Sequence, residues 1–368
     1  MTSSVRHLIF EAIDSLMFRD GRPFNQADEG ASRAVSVFPP HPPSLVGAAR
    51  VALWSLIDPQ RKTWNPSRLG DGTDWRRAGC LGPLAFSAPT VLRAGQPLYR
   101  IPFHVMEGKG AAGDTLVRLA PGKGRTCDLG SDVQLPSATS DVVGIKPIES
   151  RWVTSAGMAK IASGALPAKD DVIETDHLWA METRVGIGID ATARSVTPGA
   201  LYTATHVRMA RDVSIGLAMT GWDTDGDAAN GIETLDVLQP FGGEHRMASV
   251  SVSADGWSAP KRSLSPANNR YCVILTSSFV PEAALEPGGR LGDLPGTIVS
   301  ACLGKAVPIG GWDSKARQPI PLRRAIPAGS VFFMKLEEGE AVPPDSPIGA
   351  GLGMGAAWGF GQYLIGSW

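Results

Sequence analysis

Between Gly349 and Trp368 the chain places glycine at positions 349, 351, 353, 355, 359, 361 and 366, with mostly apolar or aromatic residues between them. This run constrains the fold more than any other stretch. Glycine tolerates positive φ and lets a second backbone come within contact distance. Two arrangements satisfy it. In one, the glycines form a loop whose main-chain N–H groups around Gly353, Gly355, Gly359 and Gly361 face a bound anion such as a phosphate. In the other, they pack tightly around a terminal strand clamped into a sheet, and Gln362 to Trp368 has the apolar and aromatic content of such a strand. Glycine patterns match by chance often, so the run taken alone favours packing.

The whole chain limits what that run can serve. Its 368 residues suit two domains, and a hydrophobic share of 43% allows a core in each. Lys+Arg of 35 against Asp+Glu of 36 gives a net charge of −1, so any basic face for a polyanion must be local. The 43 glycines and 29 prolines are well above the usual share of roughly 12 per cent, which indicates many turns in an otherwise globular composition. Cys80, Cys127, Cys272 and Cys302 form no CxxC pair and no zinc spacing with histidine, and the six histidines have no metal spacing of their own. No metal or cofactor is expected, and no GxSxG elbow marks a hydrolase. The residues after Met1 lack the apolar core of a secretory signal, and no apolar run reaches membrane-spanning length. These features predict a soluble cytoplasmic protein with reduced thiols.

From the N-terminus, Val5 to Ile13 reads as a strand. Asp20-Gly21 then marks a tight turn flanked by Arg19 and Arg22 and bracketed by Phe18 and Phe24. Such a turn suits phosphate or base-edge contact with aromatic support, and equally suits an exposed charged turn anchored by its phenylalanines. Pro42-Pro43-Ser44 opens a helix with Ser44 as N-cap, and Leu45, Ala48, Ala49, Ala52, Leu53 and Leu56 repeat at helical spacing. Gly47 inside that helix costs stability unless something approaches closely, and Arg50 lies about one turn further along. Either a sugar-phosphate backbone or a tightly packed sheet answers that pattern. Leu84–Leu92 and Pro97–Met106 read as a hairpin pair, 107–125 and 130–141 as exposed loops, and Trp152–Gly164 as a second helix capped by Thr154 or Ser155. The order is βαββαβ.

In Glu182–Met209, Val185, Ile187 and Ile189 alternate with Gly186, Gly188 and Asp190, and alternation resumes from Tyr202 to Arg208. This predicts a long hairpin with a wide tip, lined by Arg184, Arg194 and Arg208, that either projects or forms an ordinary sheet edge. Asp223–Asp227 reads as an acidic turn, because its glycine comes one position early for a calcium loop. Gly242-Gly243 precedes a strand with Glu244 and Arg246 on alternate residues, and Tyr271–Val280 reads as a buried strand. Gly310–Arg324 carries Trp312, Lys315, Arg317, Arg323 and Arg324. It fits either single-stranded nucleic acid, with a stacked base and neutralised phosphates, or a solvated loop.

These segments together resemble the RAMP superfamily of CRISPR RNA-binding proteins, in the order of its Cmr-type subunit three family of the type III-B effector complex. The resemblance rests on Asp14 with Phe18-Arg-Asp-Gly-Arg-Pro-Phe24, Pro43–Arg50, Glu182–Asp190 and Gly242-Gly-Glu244. It continues through Gly311-Trp312, Pro327–Val331 and Gly359-Phe-Gly-Gln-Tyr363, and matches almost nothing in 58–150.

The resemblance implies an α+β fold of two ferredoxin-like (RRM-related) βαββαβ domains, here 1–165 with an irregular insertion at 58–150, and 166–368. A hairpin thumb at 182–209 and a C-terminal glycine-rich loop at 349–361 complete it. It implies a non-catalytic subunit holding the 5′ tag of the guide RNA and joining the large polymerase-like subunit to the backbone RAMP subunit. Arg19 and Arg22, with Phe18, would form the N-terminal RNA-facing loop, and Gly47 and Arg50 the RNA-facing helix. The thumb, with Ile187, would wedge at the tag–guide boundary, and the glycine loop would cradle tag phosphates. Arg246, Trp312, Lys315 and Arg324 complete the expected RNA-binding set. A competing reading is a guide-processing endoribonuclease using His206 or His245, and another is a scaffold that touches only protein.

Overall fold

The computed structural model describes residues 4–21, 32–110, 113–190, 192–222, 229–262, 264, 269–313 and 315–368. The expected contacts of Arg22 and the acidic turn at 223–227 lie outside these residues.

An antiparallel sheet of nine strands forms the larger layer. Its centre is the first strand, Arg6–Ala12, which pairs with Val213–Thr220 on one side and Met247–Val252 on the other. Leu8 therefore faces Leu217 and Val252 at one level of the ladder. Beyond Val213–Thr220 come Thr90–Arg93, Gln96–Arg100, Arg151–Thr154 and Val172–Glu174. One hydrogen-bonded sheet thus runs through the boundary expected at residue 165. Strands from both sides of that position are interleaved in it.

The helix Pro42–Ile57 lies against this sheet, burying Leu45, Val46, Ala49, Ala52 and Leu53 in the same core as Leu8, Phe10, Leu217 and Val250. It starts two residues before the expected cap at Ser44, with proline filling its first positions, where a missing N–H costs nothing. The helix Ser155–Ala162 is capped as expected by Thr154, whose hydroxyl accepts the Gly157 N–H at 3.1 Å.

A second antiparallel sheet orders Thr297–Cys302, Val331–Lys335, Arg270–Leu275 and Tyr363–Gly366. The chain's last strand is fully buried there, as its apolar content predicts. The segments read as loops at 107–125 and 130–141 instead contribute to a four-stranded sheet of Val105–Gly110, Gly113–Pro121, Pro136–Ala138 and Val143–Pro147 and to a two-stranded ribbon of Arg125–Cys127 and Gly130–Val133. Val143–Pro147 is exposed at every residue, so its alternating Val143 and Ile145 mark no buried face. The fold is α+β, with three helices among the described residues, and none is long and apolar enough to cross a membrane.

Candidate nucleic-acid interface

Trp179–Asp190 and Ser195–Met209 form a hairpin paired from Trp179 with Met209 outward to Ile187 with Leu201. A register shift follows, and at the tip Asp190 accepts the N–H groups of Thr192 at 2.8 Å and Ala193 at 2.9 Å. Arg194 sits exposed at that tip with φ 50. Because paired residues share a face, the hairpin has two characters. One face aligns Glu182 with His206, Arg184 with Ala204, and Gly186 with Tyr202, whose ring lies over the glycine. The other carries Val185, Ile187 and Ile189, which are 69%, 49% and 66% exposed. An ordinary edge hairpin would bury such a row.

The base of the polar face holds a charge cluster. Asp14, just past the first strand, accepts from Arg208 Nη1 at 2.9 Å, Arg246 Nη1 at 3.4 Å and Arg184 Nη2 at 3.5 Å. Glu182 bridges the same Arg184 and Arg208 at 3.0 and 2.7 Å. The hydrogen bond from Arg208, helped by the Ser15 N–H, pulls the Asp14 carboxyl down to about 2. Beneath this cluster His206 is wholly buried, with Ser15 Oγ 3.0 Å from Nδ1 and Glu244 Oε2 2.8 Å from Nε2. Both ring nitrogens are thus engaged. His206 ties the hairpin to the turn after Phe241, where Glu244 and His245 both adopt φ 53. His245 is exposed.

A second patch joins two segments far apart in sequence. The turn at Gly21 lies against Gly310 and Leu322, so near that an added Cβ would stand 2.9 Å from the Gly310 nitrogen. Arg19, paired across a β-bridge with Ser36, is exposed beside this turn. Trp312 is 57% exposed and pairs with Pro319, while Lys315 reaches Asp71 at 3.2 Å and Arg324 is exposed.

Other expected contacts are placed differently. Phe18 is buried, its ring 4.9 Å edge-on from Phe241, and has no face to offer a base. Arg50 is also buried, donating to the carbonyls of Leu69 at 2.7 Å, Gly72 at 2.7 Å and Gly70 at 3.1 Å. It fastens the helix to the following loop, with its guanidinium 5.2 Å from the Trp64 ring centre and 5.8 Å from that of Trp358. Burial lowers its pKa, opposed by Cys80 and Asp71. Gly47 is half-buried, and nothing within 4 Å would meet a Cβ there, so packing does not demand it.

The glycine-rich segment takes the packing arrangement. An added Cβ at Gly359 would stand 2.1 Å from the Ser87 carbonyl oxygen, and one at Gly361 would stand 2.0 Å from that of Leu352. Gly353 and Gly355 are likewise pressed against Val280, Phe279, Phe360 and Trp75. The N–H groups of Leu352, Met354, Gly359 and Gly361 bond protein carbonyls at 2.8–3.0 Å, which removes them from any phosphate cradle. Sequence reasoning missed the carboxylates among the arginines. The available signals were Glu182, two residues before Arg184, and Glu244, two residues before Arg246.

These observations define a class: an α+β protein of mainly antiparallel sheets with a long two-faced hairpin and arginines gathered at its root. The chain belongs to the Cas_Cmr3 family of CRISPR-associated proteins, whose model matches residues 8–368. Among solved structures it is similar to a chain in the type III-B Cmr-beta complex bound to cognate target RNA. That match has a TM-score of 0.50 and 16% identity, over 89% of this chain and 86% of the other. The same complex with AMPPnP matches over the same shares with a TM-score of 0.49 and 16% identity. A Csm3–Csm4 subcomplex of a type III-A interference complex matches with a TM-score of 0.39 and 9% identity, over 90% of this chain and 94% of that one. At 16% identity the first likeness is one of fold. No curated protein sequence matches the chain.

Proposed function

We propose that this chain is a non-catalytic, cytoplasmic RNA-binding subunit of a type III-B Cmr effector complex. It caps the 5′ tag of the guide RNA and joins the large polymerase-like subunit to the backbone RAMP subunit. The sheets with their packed helices act as ferredoxin-like units, and the hairpin acts as the thumb. One observation carries this reading most: the hairpin presents Val185, Ile187 and Ile189 to solvent on one face while Arg184 and Arg208 stand at the root of the other. Single-stranded RNA is bound by such pairings of apolar surface for splayed bases with arginines for phosphates. The patch of Arg19, Trp312, Lys315 and Arg324 offers a second contact of the same kind. Family membership and the fold shared with Cmr-complex chains support the assignment. The near-neutral net charge suits a subunit whose other faces meet protein. A catalytic role for His206 finds no support, since both its nitrogens are engaged and it is buried.

The test is ultraviolet crosslinking of a tagged guide RNA within the assembled complex, with peptides mapped by mass spectrometry. Crosslinks in 182–209 or at Trp312, confined to the tag end, are expected. Crosslinks abundant on partner subunits and absent from this chain would leave a protein-only scaffold.

A further inference from the structure

The arginines at the root of the hairpin are not bare. Among the described residues three carboxylates stand with them, and only Asp14 reaches all three guanidinium groups, at 2.9 Å from Arg208, 3.4 Å from Arg246 and 3.5 Å from Arg184. Its two oxygens receive donors from the hairpin and from the segment after the Gly242-Gly243 turn, much as phosphate oxygens would. Glu182 meets only Arg184 and Arg208, and Glu244 only Arg246 among these arginines. The cluster is open to solvent: the Asp14 side chain is 50% exposed and that of Arg208 is 49% exposed. Exposed ion pairs of this kind are individually weak and exchange readily.

We propose that Asp14 occupies the place of an RNA phosphate and thereby sets the threshold at which this face takes up RNA. This inference rests on the reading of the hairpin as an RNA contact. A backbone phosphate arriving at Arg184, Arg208 and Arg246 must displace Asp14 or tolerate its charge. The free subunit therefore binds RNA poorly here, and the site fills when contacts elsewhere in a complex hold the strand against it. Glu182 keeps Arg184 and Arg208 in position when Asp14 turns away, so the cluster does not collapse without it.

The experiment compares the wild-type full-length chain with Asp14→Asn and Asp14→Glu. The probe is a short fluorescein-labelled single-stranded RNA, followed by anisotropy across a salt titration. Removing one unit charge close to the phosphate should tighten binding about tenfold at low salt. The slope of log affinity against log salt should steepen by about 0.7, one further phosphate neutralised on a single strand. Asp14→Glu should behave as wild type, and Arg208→Ala in the Asp14→Asn background should cancel the gain. Melting temperature and circular dichroism confirm that each variant is folded. Unchanged or weaker binding by a folded Asp14→Asn overturns the inference. If wild type nevertheless crosslinks to the guide through 182–209 in the assembled complex, only the role of Asp14 fails. If it does not, the RNA reading of the hairpin fails with it.

Discussion

Arg50 separates an RNA-facing helix from a fold-holding one. Its guanidinium donates to three carbonyls and lies between two tryptophan rings, with 3% of the residue exposed. Replacement by methionine keeps the volume and removes the donors. The Gly70 carbonyl retains the Trp64 indole N–H at 2.7 Å, whereas those of Leu69 and Gly72 lose the arginine. Two carbonyls left unsatisfied at about 2 kcal/mol each cost about 4 kcal/mol. The lost ring contacts add about 1 kcal/mol. Relief from burying a cation returns about 2 kcal/mol. The net is about 3 kcal/mol of destabilisation, or roughly 4 °C in melting temperature for a chain of this size. Arg50→Lys should recover only part of this, since one ammonium cannot span the three carbonyls. Differential scanning calorimetry of the purified chain reads both. An unchanged melting temperature with reduced RNA retention in the complex would return Arg50 to the RNA and refute the structural account.

Two glycines should respond in opposite directions, by thermal melting. Gly359→Ala is expected to destabilise by about 3 kcal/mol, from positive φ and backbone overlap with Ser87. Gly47→Ala, in open space within a helix, should stabilise by about 0.5–1 kcal/mol, and any loss of guide RNA it causes would mark a close RNA approach. His104 is fully buried with neither ring nitrogen bonded among the described residues, and burial, reinforced by Arg118, lowers its pKa to about 3. The folded pKa lies below the unfolded one, so its contribution is intact above about pH 6.5 and is lost as pH falls toward 3. The loss is about 1.4 kcal/mol per pH unit, about 2 kcal/mol at pH 5. Urea midpoints at pH 7 and pH 5 should show a steeper fall for wild type than for His104→Leu; equal falls would refute this.

Local pattern carried the elements whose signal is local. The first strand alternates against a core, the helix at Pro42 repeats its apolar face, and the long hairpin announces itself by alternation on both arms. The sheet at 105–147 had a weaker signal: Val117 and Leu119 are buried at alternate positions, but Val143–Pro147 is exposed along its whole length and needs no apolar residue at any fixed interval. Strand order was also illegible. Leu8 meets Leu217 and Val252 through pairings of high sequence separation, and nothing near residue 8 encodes either partner. Two failures at the candidate site have a common form. A glycine facing an anion and a glycine facing a carbonyl oxygen both lack a Cβ for the same steric reason, so Gly359 and Gly361 could not reveal which neighbour they admit. An arginine awaiting phosphate and an arginine holding a loop carry the same charge, so Arg50 and Arg208 read alike until their acceptors are known. Those acceptors are main-chain carbonyls for one and exposed carboxylates for the other. Carbonyls around a buried guanidinium cannot be exchanged for a ligand without opening the core, whereas exposed carboxylates can turn aside. The exchangeable partner is what makes Arg208, and not Arg50, a candidate for RNA.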